Sequence, residues 1–435
     1  YPSGGGTNSL NVDPSFVSST NLHITNPCNN GANLGVLTDL EGNTRGSSPD
    51  MGADEINSLA NDDIGVSVIN SPNFPLASGS QSINVTLKNY GGNTITSANI
   101  NYRVNGGTVV TQAWSGTLAP CATLSLTLTT PFNFGTGTSN LKVYTTLPNG
   151  NADNAPTNDT SQWTLCPALS GTYTINPLGS GPTNFTSFGA AISNLNCGGI
   201  GSSVLFNVAN GTYNEQIVLN TINGASPSKT VKFQSASGNA AACIVSTTTG
   251  NSQGVVELNG ADYVTFDKMT IINNLASTCY GVFLKAGSDN DSITNCIITH
   301  PVVGNSYSRG VYQNSTVNNY INIIGNTINN GYAGIDVYSN TSTYSNRFII
   351  ANNTINGAFQ YGIQTQYHDS MTITGNVITS TSPAGGYSGI YMYWSQKAPV
   401  LTKNKIIYTS TSGSSSSFFG IQLSFFNVNT SDPLR

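Results

Sequence analysis

Residues 326–337, Asn326-Thr327-Ile328-Asn329-Asn330-Gly331-Tyr332-Ala333-Gly334-Ile335-Asp336-Val337, contain two short signals that recur along the chain. An Asn with Ile two positions later occurs, with steps of 31, 27, 23 and 28 residues, at Asn295, Asn326, Asn353, Asn376 and Asn404. A Gly that opens an apolar strand occurs, with steps of 27, 29, 24, 28, 27 and 31 residues, at Gly254, Gly281, Gly310, Gly334, Gly362, Gly389 and Gly420. Two signals that share one period predict two strands per coil of a parallel β-solenoid.

Each repeated residue has a predicted role in this solenoid. We expect the Asn side chains to stack in one column that passes hydrogen bonds between coils, at a turn whose αL backbone Asn tolerates. We expect the Gly residues to occupy tight turns that need positive φ. In front of the repeat, residues 185–196 predict an amphipathic helix that covers the first coil, because Phe188, Ile192 and Leu195 fall on one face.

Residues 62–165 follow a different rhythm, with strands of alternating apolar residues separated by turn signals such as Asn105-Gly106. This pattern predicts a seven-stranded, immunoglobulin-like β-sandwich. The turns Lys88-Asn89-Tyr90-Gly91-Gly92 and Leu118-Ala119-Pro120 resemble those of the bacterial CARDB-type sandwich, which lies between surface domains.

Residues 1–60 are rich in loops. Asp13-Pro14-Ser15-Phe16 and the segment from Pro49-Asp50 to Glu55 resemble the C-terminal end of bacterial secreted right-handed β-helix proteins. The resemblance implies the end of a preceding β-helix, so that the chain would start inside a larger protein. There Arg45 can pair with Asp39, Asp50 or Glu55 and pin a closing loop; the alternative is a cation or sugar site built from the same carboxylates.

The segments Val204-Leu205-Phe206-Asn207-Val208 and Gly211-Thr212-Tyr213 resemble the opening of right-handed parallel β-helix proteins of the pectate-lyase type. The resemblance implies that residues 166–435 form such a β-helix, which we expect to continue past residue 435. The predicted fold class is therefore all-β, with a right-handed parallel β-helix solenoid and an immunoglobulin-like β-sandwich.

Composition excludes several classes of partner. Charged residues make up 8% of the chain and the net charge is −5, with no basic patch that would bind nucleic acid. No apolar stretch approaches the ~20 residues of a membrane span. The shortage of charge and the abundance of Gly, Ser, Thr and Asn are typical of secreted β-proteins, so we expect an extracellular location. The resemblances described above imply that this location is a bacterial cell surface.

Metal chemistry has little support in the sequence. Seven Cys and three His include no CxxC pair, which argues against zinc. Cys243, Cys279 and Cys296 are expected to be buried as small apolar residues, and a disulfide is expected either between Cys121 and Cys166 or between Cys166 and Cys197. We expect no metal and no cofactor; the alternative is calcium, because the 149–154 loop and Asp159 offer oxygens without EF-hand spacing.

Alternation along the Gly-led strands predicts which side chains face outward. One outward column would hold Phe283, Tyr312, Asp336, Gln364, Tyr391 and Gln422. A neighbouring column would hold Lys285, Asn314, Tyr338, Gln366, Tyr393 and Ser424, with Trp394 and His368 just beyond. Aromatic and amide groups suit sugar rings, so the candidate carbohydrate-binding residues are Tyr312, Tyr338, Gln364, Gln366, Tyr391, Tyr393 and Trp394. The alternative is that Tyr and Phe simply favour exposed strand positions.

Catalysis has weaker support, because hydrolysis of a glycoside needs two carboxylates and the outward face offers Asp336 alone. We therefore expect no enzyme; if there is one, its residues would be Asp336, His368 and Asp369. Asp291-Ser292-Ile293 and Asp369-Ser370-Met371 resemble O-glycosylation sites of bacteria that use the type IX secretion route, which implicates Ser292 and Ser370.

The function expected from these features is that of a structural or adhesive segment of a large secreted bacterial surface protein. Alternating sandwich and β-helix modules resemble the type IX-secreted adhesins, including those of gliding bacteria. Its partners would be a polysaccharide or surface glycan and other modules of the same chain. The alternatives are a polysaccharide lyase or glycoside hydrolase of the β-helix type, or a carbohydrate-binding module attached to such an enzyme.

Overall fold

The computed structural model describes residues 17, 18, 20, 21, 23, 35–46, 49, 55, 61–247, 252–275, 278–300, 308–381, 386–397, 399–409 and 417–424. The chain divides into two compact units, residues 1–167 and 168–435. Within the described ranges there is one α-helix, Phe188–Gly198, and two short 3-10 turns, Pro148–Gly150 and Ala240–Ala242. The remaining regular structure is β-strand, so the chain is all-β. The described part of the chain includes no helix that is long and apolar enough to cross a membrane.

The first unit is built from antiparallel strands. One sheet has three strands, Ile64–Ser71, Asn84–Asn89 and Thr123–Thr127, and another has four, in the order Val110–Leu118, Ile95–Val104, Ser139–Thr146 and Thr160–Leu165. A two-stranded sheet pairs Gly79–Gln81 with Phe132–Phe134. Alternate residues of the two larger sheets, such as Leu87 and Ile100, enter one shared apolar core. The two short strands raise the strand number above the seven predicted from the sequence.

The second unit is a parallel solenoid with three sheets, here called sheets A, B and C, that run along its length. Sheet A has ten strands, in the order Asn184–Phe185, Leu169–Ile175, Ile200–Val208, Val231–Ser235, Val264–Asp267, Ser292–Thr294, Asn322–Ile324, Ile349–Ala351, Thr372–Thr374 and Val400–Thr402. Sheet B has eight strands, Gly211–Tyr213, Cys243–Thr247, Thr270–Asn273, Ile297–Thr299, Thr327–Asn329, Thr354–Asn356, Val377–Ser380 and Lys405–Tyr408.

Sheet C contains the strands opened by the repeated Gly. Its main path consists of Ile217–Asn220, Gln253–Asn259, Cys279–Lys285, Arg309–Asn314, Ala333–Tyr338, Tyr361–Asp369, Tyr387–Gln396 and Phe418–Ser424. The short strand Ser345–Asn346 pairs with the end of Tyr361–Asp369. Each coil thus has three strands, and the prediction of two strands per coil was wrong. Strands of sheets A and B follow each other after a two-residue turn, so in the sequence they read as one run.

The apolar core of the solenoid runs from the helix to the last coils. In sheet A, Phe206, Phe233 and Phe266 stack in register, with ring centroids 4.7 and 5.0 Å apart. The same inward column continues in later coils with smaller residues, Ile293, Ile323, Ile350, Ile373 and Leu401. Register between coils therefore keeps like side chains in contact along the axis.

The helix was predicted over residues 185–196 and begins slightly later, at Phe188. The Ser187 side chain accepts a hydrogen bond from the Ala190 amide, as an N-cap residue does. The Glu215 carboxylate accepts from the amides of Phe188 and Gly189 at 3.1 and 2.8 Å, next to the positive end of the helix dipole. Phe188, Ile192 and Leu195 are buried in the solenoid core, so the helix packs on the first coil.

The repeated Gly residues are needed for close approach, not for positive φ. None of the seven has a φ in the left-handed range, which corrects the turn role predicted for them. A Cβ on Gly334 would lie 2.5 Å from Ile355 Cγ2 and 2.8 Å from the carbonyl oxygen of Gly362. Gly281, Gly310, Gly362 and Gly389 have the same two kinds of neighbour. Sheet C therefore passes so close to sheet B and to its own next strand that only Gly fits.

A buried ladder of amide side chains links the coils at the start of sheet B. Oδ1 of Asn353 accepts hydrogen bonds from the backbone amide and from Nδ2 of Asn326, at 2.9 and 3.0 Å. Nδ2 of Asn353 donates to the carbonyl oxygen of Ile323 at 2.8 Å. Asn376 and Asn404 repeat this arrangement in the next two coils. The ladder satisfies the buried amides, which is the condition for polar groups to lie in a core.

Asn295 is not a member of the ladder, and including it was wrong. The register places Cys296 opposite Asn326, and the Cys296 amide donates to Asn326 Oδ1 at 2.9 Å. Asn295 occupies the preceding turn position, with φ of 52°, and donates from Nδ2 to Asp267. Asn352, with φ of 56°, occupies this position in a later coil. The αL conformation therefore belongs to the residue before the ladder, and Asn is favoured there for a separate reason.

The remaining predicted structural residues have varied outcomes. Arg45 Nη1 pairs with Glu55 Oε2 at 3.4 Å, and both side chains are buried. Asp50, the other residue proposed for this loop, lies outside the described residues. Cys121, Cys166 and Cys197 are all disulfide-bonded. Cys243, Cys279 and Cys296 are free, buried thiols, as the sequence predicted.

Candidate functional site

The outer face of sheet C carries two columns of side chains, in the register that the sequence predicted. One column contains Glu257, Phe283, Tyr312, Asp336, Gln364, Tyr391 and Gln422. The second contains Asn259, Lys285, Tyr338, Gln366, Tyr393 and Ser424, with Asn314 opposite Tyr338. Glu257 and Asn259 extend both columns by one coil beyond the prediction.

A largely buried ion pair occupies the centre of this face. Arg309 Nε donates to Asp336 Oδ2, and both side chains are largely buried. The Arg309 guanidinium lies 4.5 Å from the centroid of the Tyr312 ring, within cation–π range. Tyr280 covers the same ring from the preceding coil, at 4.3 Å between centroids. Burial raises the pKa of Tyr312 to about 12, and this residue is not the exposed ligand-binding tyrosine that was predicted.

The following coils carry a cluster of half-exposed aromatic rings, here called the aromatic patch. Its members are Tyr338, Tyr344, Tyr361, Tyr367, Tyr391, Tyr393 and Trp394. Tyr367 lies at its centre, 5.6 Å from Tyr338, 5.5 Å from Tyr344, 6.0 Å from Tyr393 and 6.2 Å from Trp394 between ring centroids. Gln364 and Gln366 lie in the adjoining columns, so the patch combines ring faces with amide groups.

Two residues of the aromatic patch have a strained backbone conformation. Tyr367 and Trp394 have φ of 59° and 51°, and each immediately follows the second outward column. The same position holds Ala286 and Ser315 in earlier coils, with φ of 53° and 51°. A left-handed conformation costs an L-residue roughly 1–2 kcal/mol, and it is rarest for bulky side chains. The rings of Tyr367 and Trp394 are parallel within 10°, side by side in adjacent coils.

The three residues proposed for catalysis are separated by their surroundings. His368 points into the core, where its Nε2 lies 3.2 Å from the carbonyl oxygen of Val337 and its ring meets Phe348. Burial lowers the pKa of His368 to about 3, so the prediction that it lies on the outer face was wrong. Asp369 Oδ2 instead pairs with Lys397 Nζ at 3.0 Å. Between described residues, no hydrogen bond or ion pair joins any two of Asp336, His368 and Asp369.

Other residues singled out from the sequence lie apart from this face. Ser292 is half-buried in sheet A and accepts a hydrogen bond from Asn322 Nδ2 at 3.1 Å. Ser370, also half-buried, follows the end of a sheet C strand. In the first unit, Asp153 and Asp159 of the predicted oxygen-rich loop come together with Asp63, within 4.8 Å of one another between carboxylate oxygens. Asp63 was missed because some ninety residues separate it from the other two.

Several residues of the face were also missed. Tyr280, Arg309 and Tyr361 each directly precede a repeated Gly, and their strands skip one paired position there. This irregularity turns the preceding side chain outward, so strict alternation assigns it to the wrong face. The recurrence of a large residue before Gly281, Gly310 and Gly362 was the signal in the sequence.

Comparison with known proteins bears on the fold. The family described as "right handed beta helix region" matches residues 254–428, so the coils in this range are those of a right-handed parallel β-helix. Pectate lyase Pel9A is similar in structure at 12% identity, with a TM-score of 0.33, over 58% of this chain and 80% of its own. The pectin methylesterase from Aspergillus niger has 14% identity and a TM-score of 0.31, over 61% and 88%. No curated protein sequence matches the chain.

Proposed function

We propose that this chain is a non-catalytic, sugar-binding segment of a large secreted bacterial surface protein. The observation that supports it most is the aromatic patch with its two amide neighbours. Aromatic rings pack on the apolar faces of sugars, and amide side chains exchange hydrogen bonds with hydroxyl groups. Strand propensity alone does not explain the patch, because Tyr367 and Trp394 have αL backbone inside their strands, a conformation that is disfavoured for bulky residues.

The spacing and pairing of the described acidic groups on the outer face of sheet C support the non-catalytic part of the proposal. Glycoside hydrolysis normally uses two carboxylates about 5–9.5 Å apart. Within the described residues, the acidic groups of the outer face of sheet C each have a basic partner, as Glu257 pairs with Lys285 and Asp336 with Arg309. Glu257 and Asp336 are three coils apart, which corresponds to about 14 Å at the strand spacing.

The wider context is proposed from the resemblances of residues 13–55 and 62–165. Two antiparallel sheets that share one core are compatible with an immunoglobulin-like module between β-helix modules. We propose that the chain lies on the bacterial cell surface as part of a type IX-secreted adhesin, with other modules of the same protein as neighbours. Ser292 and Ser370 are the proposed glycosylation sites of this surface.

The proposal is tested by incubating the chain with plant, algal and host polysaccharides and measuring retention and released products together. We expect retention on at least one polysaccharide without any product. Tyr391→Ala should weaken retention about tenfold, since one ring–sugar contact contributes on the order of 1–2 kcal/mol. Tyr320→Ala is the matched control, because this ring is 47% exposed but lies outside the patch. Oligosaccharide release that disappears in Asp336→Asn would establish the enzyme alternative instead.

A further inference from the structure

The three clustered carboxylates of the first unit lie where two distant parts of the chain meet. Asp63 directly precedes the strand Ile64–Ser71. Asp153 and Asp159 belong to the connection between the strands Ser139–Thr146 and Thr160–Leu165. One carboxylate oxygen from each of the three lies within 4.8 Å of those of the other two.

Backbone hydrogen bonds hold these residues in place. Asp153 accepts from the amide of Ile64 at 3.1 Å through Oδ2 and from that of Ala155 at 2.8 Å through Oδ1. The carbonyl oxygen of Asp159 accepts from the amides of Val66 and Thr145, both at 3.3 Å. The carboxylates therefore converge on a fixed framework, which is the preorganisation that a metal site requires.

Two of the carboxylates are buried without adequate partners. Asp63 and Asp159 are 3% and 8% exposed, and Oδ1 of each has no hydrogen-bond partner among the described residues. None of the ion pairs formed within the described ranges involves Asp63, Asp153 or Asp159. The cluster thus gathers three acidic groups in a largely buried site, a costly arrangement unless a cation joins it.

We propose that Asp63, Asp153 and Asp159 bind a calcium ion. All the donor atoms are oxygens, which suit a hard cation and not zinc or copper. Two ligands of one calcium ion, each at 2.3–2.6 Å from it, lie at most about 5 Å apart, so the spacing of the three oxygens fits. Magnesium demands stricter octahedral geometry and keeps several waters, which a buried triple-carboxylate site does not favour.

Asn158 offers a further ligand. Its Nδ2 donates to Asp63 Oδ2 at 3.2 Å, while its Oδ1 is buried without a partner among the described residues. The two ends of an amide are exchanged by a rotation of its plane. With calcium between the carboxylates, this rotation would let Asn158 Oδ1 coordinate the ion as a neutral ligand. The buried oxygen would then have a partner. The ion would then tie the 147–159 connection to the strand Ile64–Ser71 of the first unit.

Isothermal titration of the full chain, freed of metal by a chelator, tests the proposal directly. At pH 7.5 we expect one calcium ion per chain, and a melting temperature of the first unit that rises by about 5 °C in excess calcium. Magnesium at the same concentration should give at most a small rise. The absence of calcium binding, or an equal response to both ions, would overturn the assignment.

Two variants separate this site from general charge effects. Asp159→Asn should abolish calcium binding and the calcium-dependent rise, while itself melting no lower than the calcium-free native chain, because it removes buried repulsion. Asp62→Asn is the control of equal charge, since Asp62 lies next to the cluster but binds Asn149 and Asn151 at 2.8 and 3.0 Å instead. Its calcium-dependent rise should remain. Equal loss in both variants would contradict the site.

Discussion

The early coils of the solenoid, residues 200–300, and the late coils, residues 308–409, use one backbone plan but fill the inward column of sheet A with different side chains. In the early coils, Phe206, Phe233 and Phe266 stack inside the core. In the late coils, Ile and finally Leu401 fill that column, an Asn ladder links the coils, and the seven rings of the aromatic patch lie on the outer side. The column that contains the ladder also differs between the two sets of coils. Its early positions hold Met269 and Cys296, and its first Asn is Asn326.

The difference shows that two physical devices can hold the same coil spacing. Stacked rings and stacked amides both repeat at about 4.8 Å along a parallel sheet. Where amides link the buried side of the coils, aromatic side chains are not needed there, and their presence on the outer face calls for another explanation. Ion pairs occur in both sets of coils, Lys232–Asp267 and Lys285–Glu257 in the early ones and Arg309–Asp336 and Lys397–Asp369 in the late ones.

The largest effect is expected in the ladder. Asn353→Ala removes four hydrogen bonds and leaves a buried carbonyl oxygen and a buried amide without these partners. Unmet buried groups of this kind cost about 1–3 kcal/mol each, so we expect a loss of about 4 kcal/mol, measured by urea unfolding. Asn314→Ala, at an exposed position of sheet C, should cost less than about 0.5 kcal/mol. Similar losses in both variants would mean that the ladder contributes nothing specific.

The Gly column provides the next test. Gly334→Ala introduces a Cβ 2.5 Å from Ile355 Cγ2 and 2.8 Å from a carbonyl oxygen, so overpacking should cost about 3 kcal/mol. Gly420→Ala in the same column meets nothing within 4 Å and should be nearly neutral. Denaturation midpoints of the two variants give the comparison. Equal costs would favour a conformational role for these Gly residues over close approach.

A smaller effect is expected from pH. Burial lowers the pKa of His368 to about 3, below its ordinary value of about 6.5. The folded state then binds fewer protons than the unfolded state, so its stability is full above pH 6.5 and declines as pH falls toward 3. Between pH 7 and 5 this group should cost about 2 kcal/mol. Between pH 7 and 5 the unfolding free energy of His368→Gln should therefore fall by about 2 kcal/mol less than that of the native chain. The same pH dependence in both proteins would mean that His368 is exposed to water.

The period of the solenoid, its outward columns and its capping helix could be predicted from sequence, because each depends on spacing alone. Errors arose where one residue changes the local geometry. The αL conformation of Tyr367, inside its strand, interrupts the alternation of side chains, so that His368 points inward. Asn295 is of the same residue type as the ladder residues, but it lies at the αL turn position that precedes the ladder position. The carboxylate cluster could not be predicted from residue spacing, because only the fold brings Asp63 next to a loop that lies far along the chain.

The claim that the late coils expose rings for binding is tested most directly at Trp394, where folding and binding should respond differently. Gly adopts the αL backbone at this position without strain, and the relief offsets the lost contact with Tyr367. We expect Trp394→Gly to keep its unfolding free energy within about 1 kcal/mol of the native value, while its affinity for the retained polysaccharide falls at least about tenfold. A large loss of stability with unchanged affinity would contradict the account and make Trp394 a structural residue.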